Sequence, residues 1–225
     1  MFSLRICAVF HTAWYELKDI AEFFHRPQKE LYGIAMWTTT GGDGITMGFE
    51  SVLFSWGADL GDYTTYKVKG ILDSEKGIDA LKFYKELYQY SIPDGEQVFW
   101  QESNKAIIEG KAAIAMNFFA FFPALTDPNI NPYAKVTGFF AVPKGPGGRY
   151  VALGGQGISL IGYSKDKDIS LQFLEWFVKP ETQKRWAELG GYTCEKSVLS
   201  SQEFLDATPY NKAYRESMQI LKDFW

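Results

Sequence analysis

Four short segments of this 225-residue chain combine ring, amide, carboxylate and glycine residues in patterns that suit a polar organic ligand. They are the loop 38–44 with Asp43, the run 117–122 with Phe121, the run 154–157 with Gly155 and Gln156, and Trp225 at the end of the sequence. Carboxylates and amides exchange hydrogen bonds with hydroxyl groups, and exposed rings stack on the apolar faces of sugars. The four segments therefore predict a ligand-binding cleft.

Each of these segments also has a purely structural interpretation, and the residues alone leave both open. Asp43 could cap the helix that follows it, and the rings of 117–122 could fill the core, with Phe121 our choice for a ring facing a cleft. The glycines at 154–157 could form a bulge, although glycine inside a strand often marks the close approach of a ligand. Trp225 could plug the interior.

Residue patterns typical of catalysis are missing from the sequence. It has no Gly-x-Ser-x-Gly elbow, no phosphate loop with Lys-Ser/Thr, and no His/carboxylate spacing suited to a metal. Two cysteines and two histidines are too few for a disulfide framework or a zinc site. We predict no catalytic residue, no cofactor and no metal. A glycosidase using carboxylates among Asp43, Glu50 and Glu102 is the enzymatic alternative.

Composition narrows the class of protein. The hydrophobic share of 46% with 22% charged residues excludes a disordered or fibrous chain. The net charge is −4 and basic residues do not cluster, which argues against a nucleic-acid or anionic-membrane surface. No apolar run approaches the roughly 20 residues of a membrane-spanning helix. Arg5 interrupts the apolar start of the chain, so we predict no signal peptide.

The elements that must position these segments alternate along the chain. We predict buried strands at 31–37, 111–117, 136–142 and 151–161. Helices are predicted from Thr12, at 45–56, after the N-cap Ser74, at 101–110, 168–178, 180–189 and 209–225. In the helix after Ser74, residues Ile78, Leu81, Phe83, Tyr84, Leu87 and Tyr88 are predicted to face inward. Alternating strands and helices predict an α/β fold.

Six segments in this order resemble the family 1 extracellular solute-binding proteins, which are sugar receptors of ABC importers. The segments are TAWYEL at 12–17, FSWGAD at 54–59, IEGKAAIAM at 108–116, GGQGIS at 154–159, LEWF at 174–177 and QKRWA at 183–187. Each is loose alone, but their order and spacing are fairly specific, and they cover about residues 12–225.

The resemblance implies a periplasmic-binding-protein-like fold of type II, in which two lobes close on a sugar and leave it chemically unchanged. It implies one nearly complete lobe, residues 12–144 and 192–225, and a remnant of the other, residues 145–191, after a non-native or strand-like start at 1–11. It also implies ligand contacts at Asp43, Phe121, Gly155, Gln156 and Trp225, a sugar or oligosaccharide ligand, permease partners, and a periplasmic or cell-surface location for an intact relative.

Members of this family are typically longer, so the resemblance implies a truncated receptor. We therefore expect an uncovered apolar face on the predicted strand 151–161 and helix 169–178. Half of a cleft supplies half of the ligand contacts, so we expect weak or absent sugar binding by this chain. A fragment that binds nothing is the remaining alternative.

Overall fold

A computed structural model of the chain describes residues 13–41, 44–93, 95–155 and 157–222. The described residues form ten α-helices and four short strands. The helices are α1 (Trp14–Phe24), α2 (Gly44–Ser55), α3 (Glu75–Tyr88), α4 (Trp100–Ile108), α5 (Pro123–Thr126), α6 (Lys167–Phe177), α7 (Pro180–Glu188), α8 (Lys196–Leu199), α9 (Gln202–Ala207) and α10 (Asn211–Gln219). The strands are β1 (Tyr32–Ala35), β2 (Ala112–Ala115), β3 (Val151–Ala152) and β4 (Leu221–Lys222).

The strands form two parallel pairs. β1 pairs with β2 in a register that sets Ile34 opposite Ile114, and β3 pairs with β4 with Val151 opposite Leu221. Parallel pairs with helical connections confirm the predicted α/β class. No helix in the described part of the chain has both the length and the apolar character needed to cross a bilayer.

Close approach between α1 and β1 builds the centre of the main core. Trp14, Leu17 and Ala21 are buried along one face of α1, at the spacing expected for an amphipathic helix. A Cβ atom on Gly33 of β1 would lie 2.7 Å from the Cα of Ala21, so only glycine fits there. The core continues through Ile34 and the buried residues of α2 and α3.

Helix α3 begins as predicted, because the Ser74 side chain accepts a hydrogen bond from the amide of Gly77. Its buried residues are Gly77, Ala80, Phe83, Tyr84 and Leu87. The prediction was wrong for Ile78, Leu81 and Tyr88, which are exposed. Gly77 and Ala80 lie on the buried side of the helix, and the larger Ile78, Leu81 and Tyr88 lie on the other side and face solvent.

Three further predictions of secondary structure are corrected. Residues 136–142 form no strand, and the strand predicted at 151–161 is reduced to Val151–Ala152. The helix predicted at 209–225 is Asn211–Gln219, after which β4 begins. Strand length depends on a partner for each backbone group, and β4 offers β3 only two paired positions.

The C-terminal helices form a second, smaller core. Ala187 of α7 packs with buried residues of α8 and α9, and Tyr214 and Met218 of α10 cover them. Aromatic contacts connect this core to a further small cluster of Phe122, Leu125 and Tyr210. Tyr214 lies 5.2 Å from Phe119, which packs against that cluster, measured between ring centroids. Residues 192–219 therefore pack beside α4 and α5.

Helix α6 is apolar but has no buried residue. The hydrophobic residues of α6 are distributed over much of its circumference, a pattern typical of a buried helix, at positions 169, 171, 173, 174, 176 and 177. They form what we call the uncovered apolar surface, in which Ile169 is 71% exposed and Phe173 is 49% exposed, and Ile158 and Ile161 are exposed as well. The expected uncovered face is therefore present, and no residue of α6 is buried against the rest of the described chain.

We expect the chain to self-associate through the uncovered apolar surface, and Phe173→Glu to reduce this association. A carboxylate at an exposed position leaves the free energy of unfolding within about 0.5 kcal/mol of the wild type. Sedimentation velocity over a concentration series measures the association, and Gln172→Glu, on an exposed polar position of α6, is the matched control. A wild-type chain that stays monomeric at every concentration would contradict the expectation.

Candidate functional site

The carboxyl ends of β1, β2 and β3 bring two rings and a glycine together. Trp37 follows β1 by two residues, Phe118 follows β2 by three, and Gly154 follows β3 by two. The centroids of the Trp37 and Phe118 rings are 5.0 Å apart. A Cβ on Gly154 would lie 2.7 Å from Cε1 of Phe118. In α/β folds this edge of the strands is where ligands bind.

Five aromatic side chains at this edge form what we call the ring cluster, namely Trp37, Phe99, Trp100, Phe118 and Phe121. Trp37 is central, with centroids 4.6 Å from Phe99 and 6.1 Å from Phe121. Trp100 and Phe121 are stacked with centroids 4.5 Å apart and planes inclined by 9°. Trp37 is buried, whereas the other four rings are half-buried and present the accessible part of the cluster.

Two asparagine side chains hold the backbone beneath the ring cluster. The Nδ2 of Asn104 donates to the Phe121 carbonyl at 2.6 Å, and the Nδ2 of Asn117 donates to the Trp100 carbonyl at 3.1 Å. The same Nδ2 of Asn117 donates to Oδ1 of Asn104 at 2.9 Å. Because Asn104 is buried on α4, the network fixes the turn after β2 to a rigid element.

Asn104→Ala is expected to lower the free energy of unfolding by about 2 kcal/mol, because it leaves the Phe121 carbonyl and the Asn117 amide without their partner. The stacked pair beside it should also loosen, which changes the tryptophan fluorescence of the folded state. Chemical denaturation measures the first effect. Gln101→Ala, at an exposed position of the same helix, should change stability by less than about 0.5 kcal/mol. Equal effects from both variants would refute a supporting role for Asn104.

The structure describes two of the five predicted ligand contacts. Phe121 lies in the ring cluster, half-buried, and Gly155 is exposed, with no atom within 4 Å of the position where its Cβ would be. The two segments meet because Gly154 contacts Phe118. Asp43, Gln156 and Trp225 lie outside the described residues. Their role as ligand contacts, like that of Phe121 and Gly155, stays a prediction.

Sequence reasoning missed three members of the ring cluster, Trp37, Phe99 and Trp100. A signal was available for Trp37, since it ends a predicted strand directly before the polar loop 38–44. Phe99 and Trp100 lie at the start of α4, and only the path of the chain brings this helix start to the strand ends.

The carboxylates considered for a glycosidase do not form a described pair at this site. Glu102 accepts a hydrogen bond from the amide of Phe99 at 3.1 Å, which closes the start of α4. Glu50 is 4% exposed within α2. Among the described residues, no group of three His, Cys, Asp or Glu side chains could hold a metal ion.

A separate groove of about 400 Å³ lies away from the ring cluster. Its lining includes the exposed Tyr15, the nearly buried Trp56 and Phe83, and the lysines Lys76 and Lys82. Neither Phe121 nor Gly155, the two predicted ligand contacts that the structure describes, lines it. The ring cluster is therefore the place where the predicted site and the strand ends coincide.

Residues 8–211 match the family described as bacterial extracellular solute-binding proteins, and the chain belongs to that family. Members of this family are binding proteins. The resemblance drawn from the sequence is thereby confirmed. No sequence among the curated proteins matches this chain significantly.

Solved structures of sugar-binding receptors share the fold. The chain is similar to maltose-bound MalE3 of T. maritima (TM-score 0.82, 20% identity, covering 96% of this chain and 56% of that one). It is similar to an ABC transporter solute-binding protein from Agrobacterium radiobacter in complex with ribitol (TM-score 0.79, 19% identity, 94% and 53%). It is also similar to the GacH receptor of Streptomyces glaucescens, solved with acarbose (TM-score 0.78, 22% identity, 96% and 54%).

These likenesses confirm the predicted periplasmic-binding-protein-like fold. The chain spans about half the length of each of these structures.

Proposed function

We propose that this chain is the carbohydrate-binding part of a receptor for an ABC importer and that it binds its ligand without chemical change. The observation that carries the proposal is the ring cluster at the carboxyl ends of three strands, beside the glycine run 154–157. Rings supply flat apolar surface, and the backbone exposed by glycine supplies hydrogen-bonding groups. A sugar has an apolar face and a rim of hydroxyls, which matches this pairing.

The ligand in this proposal lies over the accessible rings, with Phe121 as a stacking ring and Gly155 as the point of closest backbone approach. Nothing in the described structure fills the space beside Gly155, so a hydroxyl can approach its backbone. Asp43, Gln156 and Trp225 complete the proposed contacts, a carboxylate and an amide for hydroxyls and a second ring for stacking.

The domain arrangement that we propose assigns residues 12–144 and 192–225 to one lobe and 145–191 to part of a second. The contacts of Tyr210 with Phe122 and of Tyr214, on α10, with Phe119 support the first grouping. The uncovered apolar surface, which includes α6, supports the second grouping for that helix, because an apolar helix needs a partner surface. Strand β3 pairs with β4 of the first lobe and Ala152 is buried in the main core, so this strand joins the two proposed lobes. Helix α7 lies near the boundary, since it contacts both α6 and α8.

The proposed partners follow from the family. An importer receptor delivers its ligand to permease subunits of an ABC transporter, and an intact protein of this kind works outside the cytoplasmic membrane. The ligands bound in the similar structures, maltose, ribitol and acarbose, define the class of compound to test first.

Saturation-transfer NMR with maltose and with ribitol tests the proposal, because it detects ligands that bind weakly. We expect transfer to sugar protons, with a dissociation constant weaker than about 1 mM, since the chain holds only one side of the cleft. Phe121→Ala should abolish the signal. Phe173→Ala, which removes an equally aromatic side chain from α6, should leave it unchanged.

Three outcomes would count against the proposal. Equal signals from the wild type and Phe121→Ala would remove the ring cluster from the site. Submillimolar binding of an oligosaccharide in calorimetry would show that the cleft is not half of a larger one. Release of nitrophenol from a chromogenic glycoside would favour the enzymatic alternative.

A further inference from the structure

We infer that Gly154 is a positioning residue, because the missing side chain at residue 154 sets where the Phe118 ring lies in the wall of the cleft. The inference rests on the proposed function and deepens it, since it names a residue that controls the shape of the site through another side chain. Gly154 is not among the residues for which we predict ligand contact.

The contact between Gly154 and Phe118 is tight on one side of the ring. A Cβ at residue 154 would lie 2.7 Å from Cε1 and 2.8 Å from Cδ1 of Phe118, and 3.3 Å from Cε of Met47. The methionine methyl group is the end of a flexible side chain and can move aside. The two ring carbons belong to one rigid phenyl ring, so the whole Phe118 ring must move to make room.

The second neighbour of the Phe118 ring, Trp37, cannot yield in the same way. Trp37 lies 5.0 Å from Phe118 between centroids and is only 2% exposed. Its backbone is held from behind, since the hydroxyl of Tyr84 donates to the Trp37 carbonyl at 2.6 Å. Gly48 also packs closely there, with 2.9 Å between the position of its Cβ and Cβ of Trp37.

Phe118 therefore has two close neighbours that resist its movement, residue 154 and a buried indole. Because Phe118 is half-buried and Trp37 is not accessible, we expect a displaced ring to move toward the solvent-accessible side of the cluster. That side is where the proposed ligand lies. A methyl group at residue 154 would thus move Phe118 into the ligand space.

The neighbouring glycine provides a matched control within the same run. Among the described residues, Gly155 has no non-neighbouring atom within 4 Å of its Cβ position, and neither Gly154 nor Gly155 has a φ in the left-handed region. Alanine is therefore tolerated by the backbone at both positions. The two substitutions are chemically identical and differ in whether the new methyl group meets the Phe118 ring.

The test compares Gly154→Ala, Gly155→Ala, Phe118→Leu and the double variant Gly154→Ala/Phe118→Leu in the full chain. The first readout is the near-ultraviolet circular dichroism and the indole NMR resonances of Trp37, which need no ligand. We expect both to change in Gly154→Ala, with a melting temperature lower by about 5 °C. Gly155→Ala should keep the wild-type spectra and melt within about 2 °C of the wild type.

The Phe118→Leu background shows whether the effect of Gly154→Ala on the spectra and the melting temperature depends on the Phe118 ring. If it does, adding Gly154→Ala to Phe118→Leu changes neither the spectra nor the melting temperature, because leucine leaves room for the methyl group. The second readout is saturation transfer to maltose, which should fall about tenfold in Gly154→Ala. Gly155→Ala is the control for the spectra and the melting temperature only, because Gly155 is itself a proposed ligand contact.

Each outcome has one meaning. Equal spectra for Gly154→Ala and the wild type overturn the inference. The inference is also overturned if Gly154→Ala lowers the melting temperature equally in the wild-type and Phe118→Leu backgrounds, or unfolds the chain in both. If the wild type binds neither sugar but the spectra follow the expected pattern, the positioning of Phe118 stands and the proposed function fails. If sugar binds to the wild type and the spectra of Gly154→Ala and Gly155→Ala change alike, the proposed function stands and the positioning of Phe118 by Gly154 fails.

Discussion

Gly33→Ala is expected to destabilise the chain by more than about 3 kcal/mol, enough to unfold much of it at 37 °C. The Cβ position at residue 33 lies 2.7 Å from the Cα of Ala21 and also meets the Ala21 carbonyl. Both partners are backbone atoms inside regular elements, so no rotamer change can relieve the overlap. Helix α1 would have to separate from β1, which exposes Trp14 and Leu17.

Thermal unfolding followed by far-ultraviolet circular dichroism measures this effect. The expected fall in melting temperature is about 8 °C or more. Gly162→Ala is the control, because Gly162 has no atom within 4 Å of its Cβ position and α1 does not approach it. Melting of Gly33→Ala at the wild-type temperature would mean that α1 and β1 are not packed as described.

Trp37→Ala has the second largest expected effect, a loss of about 4 kcal/mol in the free energy of unfolding. Trp37 is 2% exposed and contacts three rings, so its removal leaves a cavity beside Phe99, Phe118 and Phe121. The cavity adds to the lost transfer free energy because the surrounding backbone is fixed. Sugar binding should disappear together with the order of the ring cluster.

Guanidinium unfolding measures the change, and Trp176→Ala is the control. Trp176 is 52% exposed on α6, so the same truncation there should cost less than about half as much as Trp37→Ala. It should also reduce self-association, since Trp176 belongs to the uncovered apolar surface. Equal destabilisation by the two variants would contradict the described burial of Trp37.

The candidate site was predicted in part. The ring-rich turn with Phe121 and the glycine run were recognisable because rings in a tight turn and glycines in a strand are locally unusual. The contact of Gly154 with Phe118, and the stacking of Trp100 on Phe121, could not be predicted. They join segments 36 and 21 residues apart in the sequence, and spacing along the chain carries no information about such distances.

Local patterns in the sequence determined the α/β class, the Ser74 cap and the places where strands β1 and β2 occur, because periodicity and capping act over a few residues. The resemblance, carried by six short segments, identified the family. Tertiary structure alone decided which side of α3 is buried, where β3 ends, and that α6 lacks a covering partner among the described residues. The physical reason is the same in each case: burial and strand pairing depend on what a distant segment supplies, and hydrophobicity in one segment does not specify its partner.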